Sequence, residues 1–371
     1  MKKIIKAFAL SGIVTCSLLA SDVVKIGVQA PITGKYANEG QSIDNFVKLL
    51  VNEKNSQGGL LGKKIEVVTC DDEAKAQKAA VCAKKLVNAG VIAVIGSYTS
   101  GATEAAQTTY YRNKVLQTSD GTSDSLIKKK YWTFFRNSFP NEAQSDFTAD
   151  YFINTKKYKK IVVLSDYSSY SNGLGDATEN SIKKIGGDVI FRGKIKSGTQ
   201  NFTAVLTKIK SMKPDVIYYS GYYTDGGLLR AQQIQLGIDA DFVGGDSNDN
   251  PDFYKLAGKA SSGTVIINFP TPEILPYKEA KKYLSAYKEE FGVNPPSIWP
   301  VTNADGLRAI FEAIEQTKSF DTKTISDYIR ADMKDFPGIT GPFNIREDGE
   351  RVGAKFVVYK LNDNGTKDVV Q

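Results

Sequence analysis

The sequence predicts an α/β protein of two doubly wound parallel-sheet lobes, and three observations carry that prediction. Strand-like apolar runs alternate with helix-like stretches along nearly the whole chain. The alternation falls into two series, one ending near residue 119 and one starting near 158, with an irregular stretch between them. The chain also has 371 residues, too many for one ordinary hydrophobic core.

The first series opens with the strand "VVKIGVQAP". Ile43, Phe46, Val47 and Leu50 follow at i, i+3, i+4 and i+7, one face of a helix, which "GGLLG" at 58–62 breaks. "KKIEVVTC" is the next strand, a helix is expected over 74–88, and "VIAVIG" is a buried strand leading into a helix after Ser100. "KVLQTS" is the last strand of this series, and "YWTFFRNSFPNEAQS" (131–145) reads as a crossing between lobes. The second series runs through "YKKIVVLSD", a helix over 171–185 with Leu174, Ala177, Ile182 and Ile185 inward, and "DVIFRG". It continues with a helix carrying Phe202, Val205, Leu206 and Ile209 on one face, then "PDVIYYSG", a helix near 226–236 and "DFVGGD". Beyond 270, the faces Ala280/Tyr283/Leu284/Tyr287 and Leu307/Ile310/Phe311/Ile314 mark two helices, and "AKFVVYKL" a final strand. Parallel sheets carry helices on both faces and bind ligands outside the carboxyl ends of their strands. Two such lobes facing one another make a cleft.

The N-terminus "MKKIIKAFALSGIVTCSLLAS" has Lys2, Lys3 and Lys6, a short apolar run and small residues at Ala20 and Ser21: a cleavable secretory leader over 1–21. Its removal takes three lysines from a net charge of +7 and leaves +4, dispersed without an Arg-rich block, so no nucleic-acid footprint is expected. In an oxidising compartment Cys70 and Cys82 read as a disulfide, with two buried thiols as the alternative. The chain has no histidine. That removes the commonest general base, the Ser-His and Cys-His pairs and the usual zinc ligand, so neither enzyme activity, nor a metal, nor a cofactor is expected.

"VIGSYTSGAT" (94–103) turns small and polar at a strand end. Gly96 and Gly101 have the spacing of a phosphate loop, but Ala102 stands where its lysine must be. What survives is a helix N-terminus whose N–H groups and dipole favour an anion, with Ser and Thr hydroxyls beside it. A carboxylate suits this better than a phosphate, because no fixed cation is supplied. An ordinary helix cap by Ser100 is the competing reading. Four other strand ends lean the same way. "QTSDGTS" (117–123) adds hydroxyls around Gly121, "SDYSSYSNG" brings Tyr170, "YYSGYYTDGG" brings Tyr222, and "VGGDS" brings Asp246. Any one tyrosine could be core packing. Together, anion donors facing an acid and an aromatic wall suit a zwitterion with a side chain, an α-amino acid.

The blocks "VKIGVQAPITGKYANEGQSIDNFVKLLVNEKNSQGGLLGKKIEVVTCDDEA", "IVVLSDYSSYSNGL", "DVIYYSGYYTDGGLLRAQQ" and "GPFNIREDGE" resemble the leucine/isoleucine/valine-type periplasmic binding proteins, solute receptors of ABC importers, over nearly all of the processed chain. The resemblance implies a type I periplasmic binding protein: two lobes joined by a three-segment hinge near Pro140, Pro270 and Arg346, with lobes 22–140 plus 271–345 and 141–270 plus 346–371. It implies that Ser100 and Thr122 hold the ligand carboxylate, with Tyr98, Thr99, Asp120 and Gly121 lining the site. Tyr170 and Tyr222 would come from the opposite lobe, and Asp246 would hold the ammonium where the family usually has the longer Glu. Departures fall in the side-chain pocket: Glu39 and Ser297 stand where relatives have aromatics, and Asp120 where they have a small residue. A buried unpaired acid is costly, so Glu39 and Asp120 either have partners in the pocket or point to solvent at its mouth. The implied activity is periplasmic capture of a free amino acid, branched-chain or aliphatic first and a more polar one second, by a monomer that docks on a membrane permease. A ligand-sensing receptor or an amide- or urea-type binder is the alternative.

Overall fold

The computed structural model describes residues 23–353 and 355–371; the leader expected over 1–21 lies outside them. The first wound unit contains β1 (Val23–Ala30), α1 (Ala37–Ser56), β2 (Lys64–Asp71), α2 (Ala76–Asn88), β3 (Ala93–Ile95), α3 (Ser100–Arg112), β4 (Leu116–Ser119), α4 (Ser125–Lys128) and β5 (Phe134–Arg136). Its strands form a parallel sheet in the order β2-β1-β3-β4-β5. The second unit runs α5 (Asn141–Asp150), β6 (Ile161–Ser165), α6 (Ser169–Lys184), β7 (Val189–Lys194), α7 (Thr203–Met212), β8 (Val216–Tyr219), α8 (Tyr223–Gln235), β9 (Asp241–Gly244), α9 (Pro251–Ala257) and β10 (Val265–Asn268). The chain then adds α10 (Lys278–Phe291), α11 (Trp299–Thr317) and α12 (Thr322–Ala331), which pack on the first unit. A small antiparallel sheet follows, of β11 (Phe336–Gly338), β12 (Gly341–Ile345) and β13 (Arg351–Val352). Finally β14 (Val357–Leu361) and β15 (Lys367–Val369) return to the second sheet, whose order is β15-β14-β10-β9-β8-β6-β7.

The central strands are buried on both faces, as a parallel sheet with helices on each side requires. Val94 and Ile95 in one sheet and Ile161–Leu164 and Val216–Tyr219 in the other are sealed from solvent. Cys70, at the end of β2, is bonded to Cys82 in α2. The disulfide ties helix to sheet and, by chain-entropy reasoning on so short a loop, contributes ~3 kcal/mol.

The sequence reading missed several elements. The stretch 131–145, expected only as a crossing, contains the three-residue strand β5. β10, the small sheet and β15 were not anticipated, and β14 and β15 lie antiparallel at the sheet edge. Ile185, expected inward, sits just past α6 and is exposed.

The chain passes between the two sheets three times: between β5 and α5, between β10 and α10, and between β13 and β14. The third passage lies after Val352 rather than near Arg346, because Asn344 and Ile345 still pair with Val352 and Arg351. Each passage contributes one phenylalanine to a common cluster. The ring centroids of Phe139 and Phe269 are 5.0 Å apart, and those of Phe269 and Phe356 also 5.0 Å.

Candidate ligand-binding site

β3 and β4 end on one wall of the cleft. At Gly96 the backbone has φ +113°, and a Cβ would stand 1.9 Å from the Gln29 carbonyl oxygen, so only glycine fits the turn out of β3. α3 then starts at Ser100, and the cap position is Thr99, whose hydroxyl makes no cap hydrogen bond. Ser100 is therefore not the helix cap. Its Oγ accepts from the Ser123 N–H at 3.2 Å, which leaves its own proton free to donate. The first N–H groups of α3 have no partner inside the helix, and the Thr99 and Thr122 hydroxyls, both buried, have no partner within the protein.

The loop after β4 is pressed against this helix end. A Cβ on Gly121 would meet Leu126 Cδ1 at 2.9 Å and Ser100 Cα at 3.3 Å. Arg136, fully buried on β5, donates to the Gly121 carbonyl at 2.5 Å and the Ser123 carbonyl at 3.0 Å, and pairs with Glu350 at 2.7 Å. Arg136 thus fixes the hydroxyl loop from behind. Sequence reasoning missed it because nothing local distinguishes it from a surface arginine.

The opposite wall comes from β6, β8 and β9. Tyr170 is the second residue of α6, which Ser168 caps by accepting from the Ser171 N–H. Tyr222 immediately precedes α8, and Asp246 opens a short 3₁₀ turn after β9. Asn248 ties the two loops together, donating to the Gly221 carbonyl at 2.9 Å and the Gly245 carbonyl at 3.2 Å. Asp246 Oδ1 accepts from the Tyr170 hydroxyl and, at 2.6 Å, from the Ser247 N–H, while Oδ2 has no partner within the protein. Four tyrosine rings close the side of the cleft. Tyr222 packs on Tyr36 at 4.8 Å and Tyr170 at 4.9 Å, and Tyr98 stands 5.6 Å from Tyr36 and 6.0 Å from Tyr222. Tyr36 was not singled out from sequence; it lies in an irregular loop before α1, with no pattern to mark it.

Glu39, in the first turn of α1, and Asp120, after β4, do not point to solvent; both are buried. Glu39 has the partners such burial demands. Its Oε1 accepts from the Asn250 amide at 2.6 Å and its Oε2 from the Ser297 hydroxyl at 2.7 Å. Asn250 belongs to the second unit, and it also accepts from Asn38 at 3.0 Å. Tyr223 adds a hydroxyl bond to Asn38 Oδ1 at 2.7 Å, so this end of the cleft is a chain of bonds between the two walls. Asp120 is different. Neither of its carboxylate oxygens has a hydrogen-bond partner by geometry; the Asn303 amide beside it is bonded to the Trp299 carbonyl at 3.0 Å.

Burial sets the electrostatics. It raises the Glu39 carboxyl to about 7, against the lowering effect of Ser297 and Asn250, and the Asp246 carboxyl to about 6. Asp120 is pushed well up by burial and then by Glu39, against the lowering effect of its own backbone N–H and the nearby Asn303 amide, with Asp246 a smaller raising influence. Thus all ten residues expected at the site (Glu39, Tyr98, Thr99, Ser100, Asp120, Gly121, Thr122, Tyr170, Tyr222 and Asp246) lie on the two facing walls. The first wall presents the hydroxyls of Thr99, Ser100 and Thr122 together with Tyr98 and the acids Glu39 and Asp120; the second presents Tyr170, Tyr222 and Asp246.

Fold and site define a two-lobe receptor that encloses a small solute. The chain belongs to the periplasmic binding protein family, which it matches over residues 23–366. It is 30% identical over 345 residues to the Leu/Ile/Val-binding protein BraC3 of Rhizobium johnstonii, covering 92% of each chain. It is 27% identical over 373 residues to the leucine-, isoleucine-, valine-, threonine- and alanine-binding protein of Pseudomonas aeruginosa, covering 100% of this chain and 98% of that one. Among solved structures it is similar to the leucine-binding protein LivK of Thermotoga maritima, with TM-score 0.87, 29% identity, and 94% of this chain and 98% of that one covered. It is likewise similar to LivJ of Streptococcus pneumoniae in complex with isoleucine, with TM-score 0.84, 28% identity, and 94% and 99% covered.

Proposed function

We propose that this protein captures a free α-amino acid in the periplasm and delivers it to the membrane permease of an ABC importer, without catalysing a reaction. The observation that carries this reading is the pairing of unpartnered buried groups across the cleft: the Thr99 and Thr122 hydroxyls on one wall, Asp246 Oδ2 on the other. A buried polar group without a partner costs about 1–3 kcal/mol, and a zwitterion supplies partners to both walls at once. Ser100, Thr122 and the α3 N-terminus receive its carboxylate, Asp246 its ammonium, and Tyr36, Tyr98, Tyr170 and Tyr222 enclose the rest. The named relatives put leucine, isoleucine and valine first among the side chains to test.

Both walls come from one chain, so a monomer suffices. Residues 137–140, 269–277 and the link between β13 and β14 act as the hinge straps, and the lobes, 23–140 plus 271–352 and 141–270 plus 355–371, close by bending there. The leader over 1–21 directs export. The test is a thermal-shift screen of the twenty amino acids on the processed chain, followed by calorimetry. A ligand that binds only the native state raises its melting temperature, and the bound amino acid is expected back chemically unchanged after denaturation. No shift with any amino acid refutes the reading.

A further inference from the structure

Asp120 is the one carboxylate of the cleft whose two oxygens both lack a hydrogen-bond partner at normal geometry, and it is buried within electrostatic reach of the latched Glu39 and the half-satisfied Asp246. The amino-acid reading uses Asp246 for the ammonium and leaves Asp120 without a task, although its backbone carbonyl is already occupied by the Ser138 hydroxyl at 2.8 Å. Most buried polar atoms in folded proteins have a partner, so a buried acid with two open oxygens calls for a donor. Among the described residues no group of three or more His, Cys, Asp or Glu is disposed to hold a metal ion. The same enclosure holds a further unpartnered buried hydroxyl, that of Tyr98.

We infer that Asp120 reads a hydrogen-bond donor on the ligand's side chain, so that among branched side chains the site selects one carrying a hydroxyl, threonine over its isostere valine. The inference rests on the amino-acid reading above. Its physical basis is asymmetric: a pocket built to bond a hydroxyl leaves its own buried acceptor orphaned when the analogue brings a methyl instead. Burial and the neighbouring acids favour the neutral carboxyl at Asp120, and a neutral carboxyl both accepts from and donates to a hydroxyl. Glu39 cannot do this work, because Asn250 and Ser297 occupy both its oxygens.

The test is calorimetric titration of the processed chain with threonine and with valine, for the natural protein and for Asp120→Ala. The natural protein is expected to bind threonine about tenfold or more tighter than valine, as a hydroxyl-reading pocket does. Asp120→Ala is expected to erase or invert that preference, bringing the ratio of threonine to valine affinity to about one or below. Circular dichroism and the melting temperature check folding, and Asp120→Leu, of similar shape but with no hydrogen-bonding atom, provides a second variant expected to lose the preference in the same way should the alanine variant fail to fold. A natural protein that prefers valine overturns the inference. So does an Asp120 variant that weakens both amino acids by the same factor, which would place Asp120 on the ammonium. If neither these two nor any other amino acid binds, the amino-acid reading itself falls, an outcome distinct from a simple preference for valine.

Discussion

The two ends of the cleft are built from the same materials and finished differently. At the Glu39 end a buried carboxylate meets Asn250 and Ser297, and both its oxygens are bonded. At the Asp246 end an equally buried carboxylate has one oxygen bonded to Tyr170 and Ser247 and the other unpartnered, opposite hydroxyls that are unpartnered too. Saturation makes the first end a latch: its bonds join wall to wall and need nothing from outside. Incompleteness makes the second a receptor, because only a third party can finish its hydrogen bonding. Burial alone does not tell the two apart; the count of satisfied atoms does.

The sharpest way to break this comparison is Asp246→Asn, which keeps the side-chain shape and removes the charge. Truncating or neutralising one partner of a buried charge pair costs ~2–5 kcal/mol, so calorimetry should show amino-acid affinity falling by about thirtyfold or more. The ligand-free melting temperature should not fall with it. Unchanged affinity would mean that the ammonium is held elsewhere. A smaller loss is expected at the other wall. Thr122→Ala removes one hydrogen bond to a charged carboxylate, worth ~1.5–3 kcal/mol, and should weaken every amino acid by roughly the same factor, because the carboxylate is common to all.

Why one end was readable from sequence and the other was not follows from how each is assembled. The receptor end sits at the carboxyl ends of parallel strands, where a strand run, a cluster of small hydroxyls or a tyrosine, and a helix follow in order; Ser100, Thr122, Tyr170, Tyr222 and Asp246 all stand in such local patterns. The latch is made across the chain: Asn250 lies 211 positions from Glu39 and Ser297 lies 258 positions away. In the sequence Glu39 is an acid of undecided direction, and nothing local marks Asn250 as its partner. Arg136 was hidden for the same reason, since its partner Glu350 comes from the far end of the chain. The wound α/β units were legible from alternating apolar runs. β5 and the β11–β13 sheet were not, because strands of two or three residues, or strands interrupted by Pro337 and Pro342, carry no usable periodicity.

Cutting the latch should cost less than neutralising the receptor. Asn250→Ala removes the cross-wall bonds to Glu39 and Asn38 and leaves Glu39 with Ser297 alone. Because closure is shared with the tyrosine contacts, the expected loss of amino-acid affinity is a few-fold, about 1 kcal/mol for one net hydrogen bond, and small-angle scattering should show a more open ligand-free form. A loss as large as that of Asp246→Asn would mean that the latch and the receptor are one device.

The smallest expected effect separates the two ends by pH, because they respond in opposite senses. Closing the lobes buries Glu39 and holds its carboxyl at about 7, whereas an open, solvated glutamate titrates near ~4.3. Below the lower value both forms are protonated and closure carries no ionisation cost. As pH rises from the lower value towards 7 the open form releases a proton that the closed form retains, so closure becomes progressively less favourable and then levels off. Asp246 and Asp120, also raised by burial, add to this in the empty cleft. Ligand binding reverses the sign at Asp246 alone: an ammonium needs the ionised carboxylate, so once the pH falls through about 6 and the empty closed site takes up a proton, binding has to expel it. Amino-acid affinity should therefore weaken on going from pH 7 to pH 5, and the acid-favoured closing at Glu39 should blunt the slope. Glu39→Gln, which keeps an acceptor for Asn250 but cannot titrate, should make the affinity fall more steeply with acid while leaving binding at neutral pH within a few-fold. Calorimetry of both proteins across that range checks it; identical slopes would mean that Glu39 does not change its solvation when the cleft closes.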